Sequence, residues 1–595
     1  MIRAERSRSL NDRESLLAVA LGRQPADLVV RGGSLANVYT GELLEGWGVA
    51  VAGSRIASVG PEIERHAGPA TTVIDMQGGI VAPGFIDGHT HLDCIHRLDH
   101  YLAAAIPTGL TTLITETSQL STVGGYPVLA AFIAQLPGLP ITVYATAPTI
   151  SYLLSDRGDG TPMITTEEMA RLLEEPGVVG LGEVYWPAIL ENRAGLRLLL
   201  AKAEAMGKAV EGHTAGARGD KLTACVAAGL SSCHESIAAQ EIQERLRLGL
   251  TTMVRDGSVR RDLGALEGAL KGIDPRRLVL VSDTVWAPQL LGRGYLDESA
   301  RQAVRMGLEP MQALRAITLT PAEHFRIEGL VGGVAPGRRA DMVLLPDLES
   351  FRPRMVIARG QVVAREGHVT IPIPPLGFPG ELLPAPHVLH RLTLNDLRIP
   401  APPGRDRIRV RTIHFAGEIV TQAIVRELPV KGPELRVEPD ADLLKVVAID
   451  RRGQGQIARG FVSGYGLRRG ALAASLSFDT ANLILLGADE SDMLMAADRM
   501  LAMGGGIVVV ADGILQADVP LPLGGIISEQ PMGVLADQFA ACQRVLSELG
   551  CVRANPLLSA QVVTFIAIPA LRIRERGLWD VRRNQVVPLM VEGDE

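Results

Sequence analysis

The middle of the chain alternates between two hydrophobic patterns. Short apolar runs such as TTLITET and LVLVSD are typical of buried strands, whereas stretches such as TTEEMARLLEE repeat apolar positions with the period of a helix. This alternation extends over residues 83–334, and about 250 residues is the usual length of a (β/α)8 barrel. We therefore predict such a barrel. A doubly wound sheet is the competing interpretation, but no GxGxxG turn follows a strand in this section.

Both flanks of the predicted barrel have a different pattern. Short β-rich runs separated by glycine turns occur before it, as in DLVVRGGSLANV, and after it, as in PGRRADMVLL. Two such flanks around an insertion predict one composite β domain, formed by residues 26–82 and 335–370. The other predicted segments are an N-terminal helical extension at 1–25, a proline-rich linker at 371–405 and a mixed α/β domain at 406–595.

Composition and charge narrow the class of protein. The net charge is −7 and no long lysine or arginine block occurs, so neither a nucleic acid nor a membrane is expected as a partner. The N-terminal MIRAERSRSL is too charged for a signal peptide, and no apolar run reaches the ~18 residues of a membrane span without charged or turn residues. The five cysteines form no CxxC pair, which favours a reducing compartment. We therefore expect a soluble cytoplasmic protein of several domains.

Polar residues with metal-binding side chains follow several of the predicted barrel strands. PGFIDGHTHLD carries two histidines at positions i and i+2, which point to the same side of a strand. Because the carboxyl ends of barrel strands face one common mouth, residues far apart in sequence can meet there. A lone histidine at a strand end is more often structural, but the complete ordered set favours a metal site. The six candidates are His89, His91, Glu183, His213, His234 and Asp283.

These side chains suit borderline divalent ions such as Mn²⁺, Fe²⁺ or Zn²⁺. Glu183 has two oxygens with which to bridge a pair of ions. Two ions that share a hydroxide supply a nucleophile at neutral pH, because the pKa of bound water falls from ~15.7 toward ~7. Asp283 is then the expected proton shuttle to the leaving group. The sequence thus predicts a hydrolytic site with two divalent metal ions.

Longer motifs carry a family resemblance. PGFIDGHTHLD resembles the signature of the amidohydrolase superfamily, and residues 210–258 are similar throughout to its adenine deaminase branch. So are LGEV around Glu183, RADMVLLPDLESFRP at 339–353 and LPLGGIISEQP at 521–531. The resemblance covers nearly the whole chain. It implies an α/β fold class, in which a (β/α)8 barrel of the metal-dependent hydrolase type carries a composite β-sandwich domain and a C-terminal α/β domain.

The resemblance also implies an activity and cofactors. Members hydrolyse adenine to hypoxanthine and ammonia with two Mn²⁺ or Fe²⁺ ions, and Zn²⁺ is compatible with the same ligands. The partners implied are a purine base or similar heterocycle and further copies of the chain, as a dimer or larger. Glu183 matches the family's bridging glutamate, and Asp283 matches the aspartate that binds metal and moves protons. Glu235 either contacts the substrate ring as a second catalytic residue or orients His234; both interpretations stay open.

The sequence departs from the family pattern at polar positions near the expected pocket. A changed hydrogen-bonding residue in a buried site can alter which substrate is preferred. An alternative function is therefore hydrolysis of a different aminated heterocycle or cyclic amide by the same metal site. A non-catalytic binding protein that kept the fold is a third hypothesis, which the intact ligand set disfavours. The departing positions, expected to bind substrate, are Asp93, Ser118, Gln119 and Thr284.

Overall fold

The computed structural model describes residues 10–155, 163–378, 381–430, 432–478 and 480–591. Positions 1–9 of the predicted N-terminal extension lie outside the described residues, and a helix, Leu10–Ala20, follows them. The chain divides into two compact units. The first holds most of the chain up to Gly377, and the second consists of Asp93–Arg97, Ser118–Val128 and the chain from Phe378 onward.

The first unit contains a barrel of eight parallel strands. Neighbours along the chain pair in parallel from β1 to β5 and again from β6 to β8. Backbone hydrogen bonds close the ring: Ser231 N donates to Val210 O over 2.9 Å, and Asp283 N donates to His89 O over 2.9 Å. The strands are β1 Phe85–His91, β2 Leu110–Glu116, β3 Thr142–Pro148, β4 Val178–Tyr185, β5 Ala209–His213, β6 Ser232–Cys233, β7 Thr251–Arg255 and β8 Leu278–Val281.

α-Helices separate the barrel strands along the chain, except that a short 3-10 helix, Leu263–Leu266, lies between β7 and β8. The pattern that predicted them is clear at Thr166–Glu174, where Thr165 and Glu168 form a reciprocal capping box and the buried face carries Met169 and Leu172. The other helices of this section are Leu98–Ala105, Ser118–Gln135, Thr149–Ser155, Trp186–Leu190, Ala194–Ala205, Asp220–Ala227, Ala239–Arg247, Ala287–Gly292, Leu296–Arg305, Pro310–Ala316 and Leu319–His324.

A β domain in the first unit draws strands from both sides of the barrel sequence. Met342–Leu345 pairs antiparallel with Ile80–Pro83, so segments before and after the barrel share one sheet. Apolar residues from both segments, including Val30, Val81 and Met342, pack in one core. The remaining strands are Leu28–Arg31, Gly48–Ala52, Arg55–Gly60 and Thr72–Asp75 in a four-stranded sheet, and Ser34–Asn37, Glu42–Glu45, Met355–Ala358, Gln361–Arg365 and His368–Val369 in a seven-stranded one.

The second unit is built on an eight-stranded sheet. Helix Glu490–Ala502 covers one part of it, with Met493, Ala496 and Met500 packed against sheet residues such as Val508. The α/β fold class with a barrel and a C-terminal sheet domain is confirmed. The sheet strands are Arg407–Phe415, Thr421–Pro429, Leu444–Ile449, Ile457–Ser463, Ala471–Ala474, Leu483–Gly487, Gly506–Ala511 and Ile514–Pro520; other elements are Ile95–His96, Ile527–Ser528, Leu571–Arg574, Gly577–Asp580, Gln585–Val587, Leu394–Leu397, Met532–Glu548 and Pro556–Gln561.

Candidate metal centre and active site

All six residues proposed as metal ligands lie at or just beyond the carboxyl ends of barrel strands. His91 and His213 are the last residues of β1 and β5, and His234 follows β6 directly. Glu183 and Asp283 have backbone φ angles of 39° and 61°, in the left-handed region that only a few per cent of non-glycine residues occupy. Such conformations persist where surrounding structure fixes them, often at functional sites. The unusual backbone conformation at Glu183 and Asp283 therefore indicates that both carboxylates belong to a functional site.

One oxygen of Glu183 lies at the centre of the histidine cluster. Its Oε1 is 3.8, 3.5 and 3.4 Å from Nε2 of His89, His91 and His234. Oδ1 of Asp283 is 3.5 Å from His89 Nε2 and 3.6 Å from His91 Nε2. These separations exceed ordinary hydrogen-bond lengths, although all the atoms converge on one point. His89 Nε2 is buried and has no hydrogen-bond partner in the described part of the chain. The geometry fits a coordinated cation.

A second group of metal-ligating atoms overlaps the first at His234. Glu235 Oε1 lies 3.1 Å from His234 Nε2 and 3.5 Å from His213 Nε2. The three ligand atoms lie within 4.8 Å of one another, as do those of the group formed by His89, Glu183, His234 and Asp283. Imidazole with carboxylate is a donor set that borderline divalent ions favour.

Burial and neighbouring charges adjust the protonation of this cluster. Burial, together with the adjacent His234, lowers the pKa of His89 to about 4, so its ring is neutral and free to bind a metal. Burial alone opposes ionisation of Asp283, but the nearby imidazole of His89 and the positive charge of Arg255 outweigh it and lower the pKa of Asp283 to about 2. Both groups therefore adopt the forms that ligate metal.

Two buried charged residues that the sequence analysis did not assign belong to the same region. Glu116 is the last residue of β2, and its Oε1 lies 3.6 Å from His89 Nδ1. Burial and then the charge of Glu183 raise the pKa of Glu116 to about 8. Arg255 is the last residue of β7 and contacts Glu235 and Asp283. Both stand at strand ends, so the rule that found the histidines, applied to every barrel strand, would have found them.

The residues expected to bind substrate fall into two groups. Thr284 is in the first unit, is buried, and its carbonyl accepts a hydrogen bond from Ser258 N over 2.7 Å. Asp93, Ser118 and Gln119 are in the second unit. Asp93 Oδ2 accepts hydrogen bonds from the backbone N–H of Gln119 over 2.6 Å and of Leu120 over 3.3 Å. This carboxylate therefore caps the first turn of helix Ser118–Gln135.

The residue before Glu183 has to be glycine for steric reasons. A Cβ at Gly182 would lie 1.9 Å from Glu116 Oε2 and 2.4 Å from Thr146 Oγ1. We expect Gly182→Ala to lower the free energy of unfolding by about 1–3 kcal/mol, the usual effect of overpacking, measured by urea denaturation of metal-free protein. Gly292→Ala is the matched control, since a Cβ there meets nothing within 4 Å. Equal stability of both variants would contradict this account of the Gly182 contacts.

Comparison with known proteins adds family information to this geometry. Residues 80–363 match the amidohydrolase family and residues 418–585 match the adenine deaminase C-terminal domain. An adenine deaminase of Moorella thermoacetica is 35% identical over 97% of both chains. Adenine deaminases of Ruegeria pomeroyi, 33% identical over 97% of both chains, and of Cenarchaeum symbiosum, 35% identical over 97% of this chain and 94% of the relative, are also similar. The amidohydrolase match implies a hydrolase that uses a divalent metal, in agreement with the cluster.

Proposed function

The chain belongs to the adenine deaminase family of the amidohydrolases, and on that premise we propose that it hydrolyses adenine to hypoxanthine and ammonia. One observation carries the proposal: the histidines and carboxylates predicted as metal ligands converge at the barrel mouth of a chain that is similar to adenine deaminases over 97% of its length. Such a cluster in a family member favours catalysis over a binding role.

We propose two divalent ions, Mn²⁺ or Fe²⁺ in preference to Zn²⁺, held by the six predicted ligands. The support is the group formed by His89, Glu183, His234 and Asp283, with His91 and His213 beside it. Glu183, whose oxygen faces three imidazoles, would be the central carboxylate that holds the ions. When bound, such ions polarise water and lower its pKa toward about 7, which supplies a nucleophile at neutral pH.

The chain's own carboxylates have distinct proposed tasks. Asp283 is the proton shuttle: with Oδ1 toward the imidazoles, it takes a proton from the attacking water and passes it to the departing amino group. Glu235 is proposed to orient His213 and His234, because its Oε1 faces both rings and is already engaged by Arg255 at 2.7 Å. Burial of the cluster keeps bulk water away from these contacts.

Three of the four residues expected to bind substrate are proposed to contact it directly. We propose Thr284, Ser118 and Gln119 as substrate contacts. Asp93 is proposed to act indirectly, by holding the start of the helix that carries Ser118 and Gln119, because its carboxylate accepts hydrogen bonds from two backbone N–H groups there. A buried donor or acceptor that pairs with a ring edge can discriminate strongly between bases.

The decisive experiment is a substrate panel with purified, Mn²⁺-loaded protein. Ammonia release and formation of hypoxanthine are measured with adenine, other 6-aminopurines, aminated pyrimidines and cyclic amides. Turnover of adenine at the highest kcat/KM supports the proposal. Turnover of another ring without adenine supports the alternative heterocycle hydrolase, and no ammonia from any 6-aminopurine contradicts the proposed function.

We further propose a cytoplasmic homo-oligomer that works in purine salvage. All five cysteines are free and buried, which suits a reducing compartment. Among the described residues one helix, 118–138, is long and apolar enough to span a membrane, a test that core helices also pass. Light scattering coupled to gel filtration measures the oligomeric state, and a monomer at micromolar concentration contradicts that part of the proposal.

A further inference from the structure

Arg255 is a buried cation that touches carboxylates from three successive strand ends. Its side chain is 5% exposed. Nη1 lies 2.7 Å from Glu235 Oε1, after β6, and 3.5 Å from Asp283 Oδ2, after β8. Nε and Nη2 lie 2.9 and 2.8 Å from Oδ2 of Asp262, in the loop after β7. One guanidinium thus links three separate segments of the barrel mouth.

The loop after β7 folds back to bring Asp262 to this position. Asp262 N donates to Arg255 O over 2.8 Å, Gly257 N donates to Arg260 O over 2.7 Å, and Asp256 pairs with Arg261 in an antiparallel bridge. Arg260 Nη2 donates to the other oxygen of Asp262 over 2.8 Å. Asp262 is therefore fixed from two sides, and it fixes the Nε–Nη2 edge of Arg255 in turn.

The fixed edge determines where the remaining nitrogen points. Because Asp262 occupies Nε and Nη2, Nη1 is left to face both Glu235 and Asp283. The two oxygens of Asp283 therefore face different partners. Oδ2 faces Arg255, and Oδ1 faces the imidazoles of His89 and His91. A planar guanidinium suits this task better than an ammonium, since its donors lie in a rigid fork.

We propose that Arg255 is a positioning residue that directs Glu235 and Asp283 at the histidine cluster, and that Asp262 acts only through Arg255. The inference rests on the proposed function for its kinetic part, since Asp283 is the proposed proton shuttle. Nothing in it requires Arg255 to touch substrate. Without the guanidinium, two buried carboxylates lose the partner that holds their orientation, and a misplacement of about 1 Å in a catalytic group can lower a rate about 100-fold.

The kinetic test uses three single variants, Arg255→Gln, Arg255→Lys and Asp262→Asn. It also uses the double variant that combines Asp262→Asn with Arg255→Gln. We expect Arg255→Gln to lower kcat for adenine at least 100-fold while KM changes less than threefold, and Arg255→Lys to recover about tenfold. Asp262→Asn is expected to lower kcat about tenfold, and the double variant to be no worse than Arg255→Gln alone. The proposal would be overturned if the kcat losses of the two single variants multiplied in the double variant. A kcat of Arg255→Gln within threefold of wild type would also overturn it.

A second readout is independent of turnover. Co²⁺ is bound to each variant, and its visible absorption spectrum reports ligand number and geometry. We expect Arg255→Gln and Asp262→Asn to shift this spectrum in the same way while still binding Co²⁺. Arg293→Gln is the matched control: Arg293 pairs with Asp256 over 2.8 Å, next to Arg255, without contacting the cluster residues in any described contact. An unshifted spectrum in Arg255→Gln contradicts the positioning role even if adenine proves not to be the substrate.

Discussion

Replacement of Glu183 by glutamine is expected to lower kcat for adenine by ~1,000-fold or more, equal to about 4 kcal/mol of transition-state stabilisation. The amide keeps the size of the side chain but removes the anionic oxygen that faces three imidazoles at 3.4–3.8 Å. A neutral amide oxygen is a much weaker ligand for a divalent ion and cannot balance its charge. Ammonia release after loading with Mn²⁺ measures the loss, and elemental analysis gives the metal retained per chain.

A glutamate elsewhere in the barrel unit provides the control for this substitution. Glu298 lies on helix Leu296–Arg305 and pairs with Arg301 one turn along that helix. Glu298→Gln is expected to keep kcat and metal content within twofold of wild type. If Glu183→Gln retained kcat within tenfold of wild type and bound as much metal, Glu183 would not be the central ligand, and the proposed metal geometry would be wrong.

Removal of the metals is expected to abolish turnover and to destabilise the fold. Buried imidazoles and carboxylates meet at the cluster, and cations stabilise only the state in which these ligands are assembled. At free metal 1,000 times the dissociation constant, linkage gives about 4 kcal/mol of added stability. Calorimetry of chelator-treated protein, before and after Mn²⁺ is restored, should show a fall and recovery of Tm that parallels activity.

Two histidine variants assign that stabilisation to the cluster. His89→Asn removes a ligand whose Nε2 is buried without a hydrogen-bond partner among the described atoms, so Mn²⁺ should raise its Tm far less. His368→Asn changes an exposed histidine of the β domain and should respond to Mn²⁺ like wild type. Equal metal-induced shifts in both variants would place the stabilising ion somewhere other than the barrel mouth.

The histidine pair could be predicted because its signal is local. Strand periodicity places i and i+2 on one side, and His89 and His91 both lie beside Glu183 in the structure. Arg255 also ends a strand, but its position along the sequence does not reveal its contacts, because these depend on Asp262 returning through a loop and on strands that adjoin only in the closed barrel. Buried ion networks are long-range features, so hydrophobic patterns do not reveal them.

A histidine after the first barrel strand shows the same limit. Residues four apart, such as His96 and His100, can share one helix face, but the helix begins at Leu98 and His96 belongs to a buried two-residue strand. That strand pairs with Ile527–Ser528, more than 400 positions away along the sequence. Here the tertiary pairing of two strands determines the conformation of His96, and the neighbouring sequence does not predict that pairing.

The join between β8 and β1 has a consequence for synthesis of the protein. His91 N donates to Asp283 O, and Asp283 N donates to His89 O, over 2.8 and 2.9 Å. The backbone bonds that close the ring are thus made by the very residues that carry the proposed ligands. The proposed ligand set is therefore incomplete in a nascent chain until position 283 has left the ribosome and paired with the first strand.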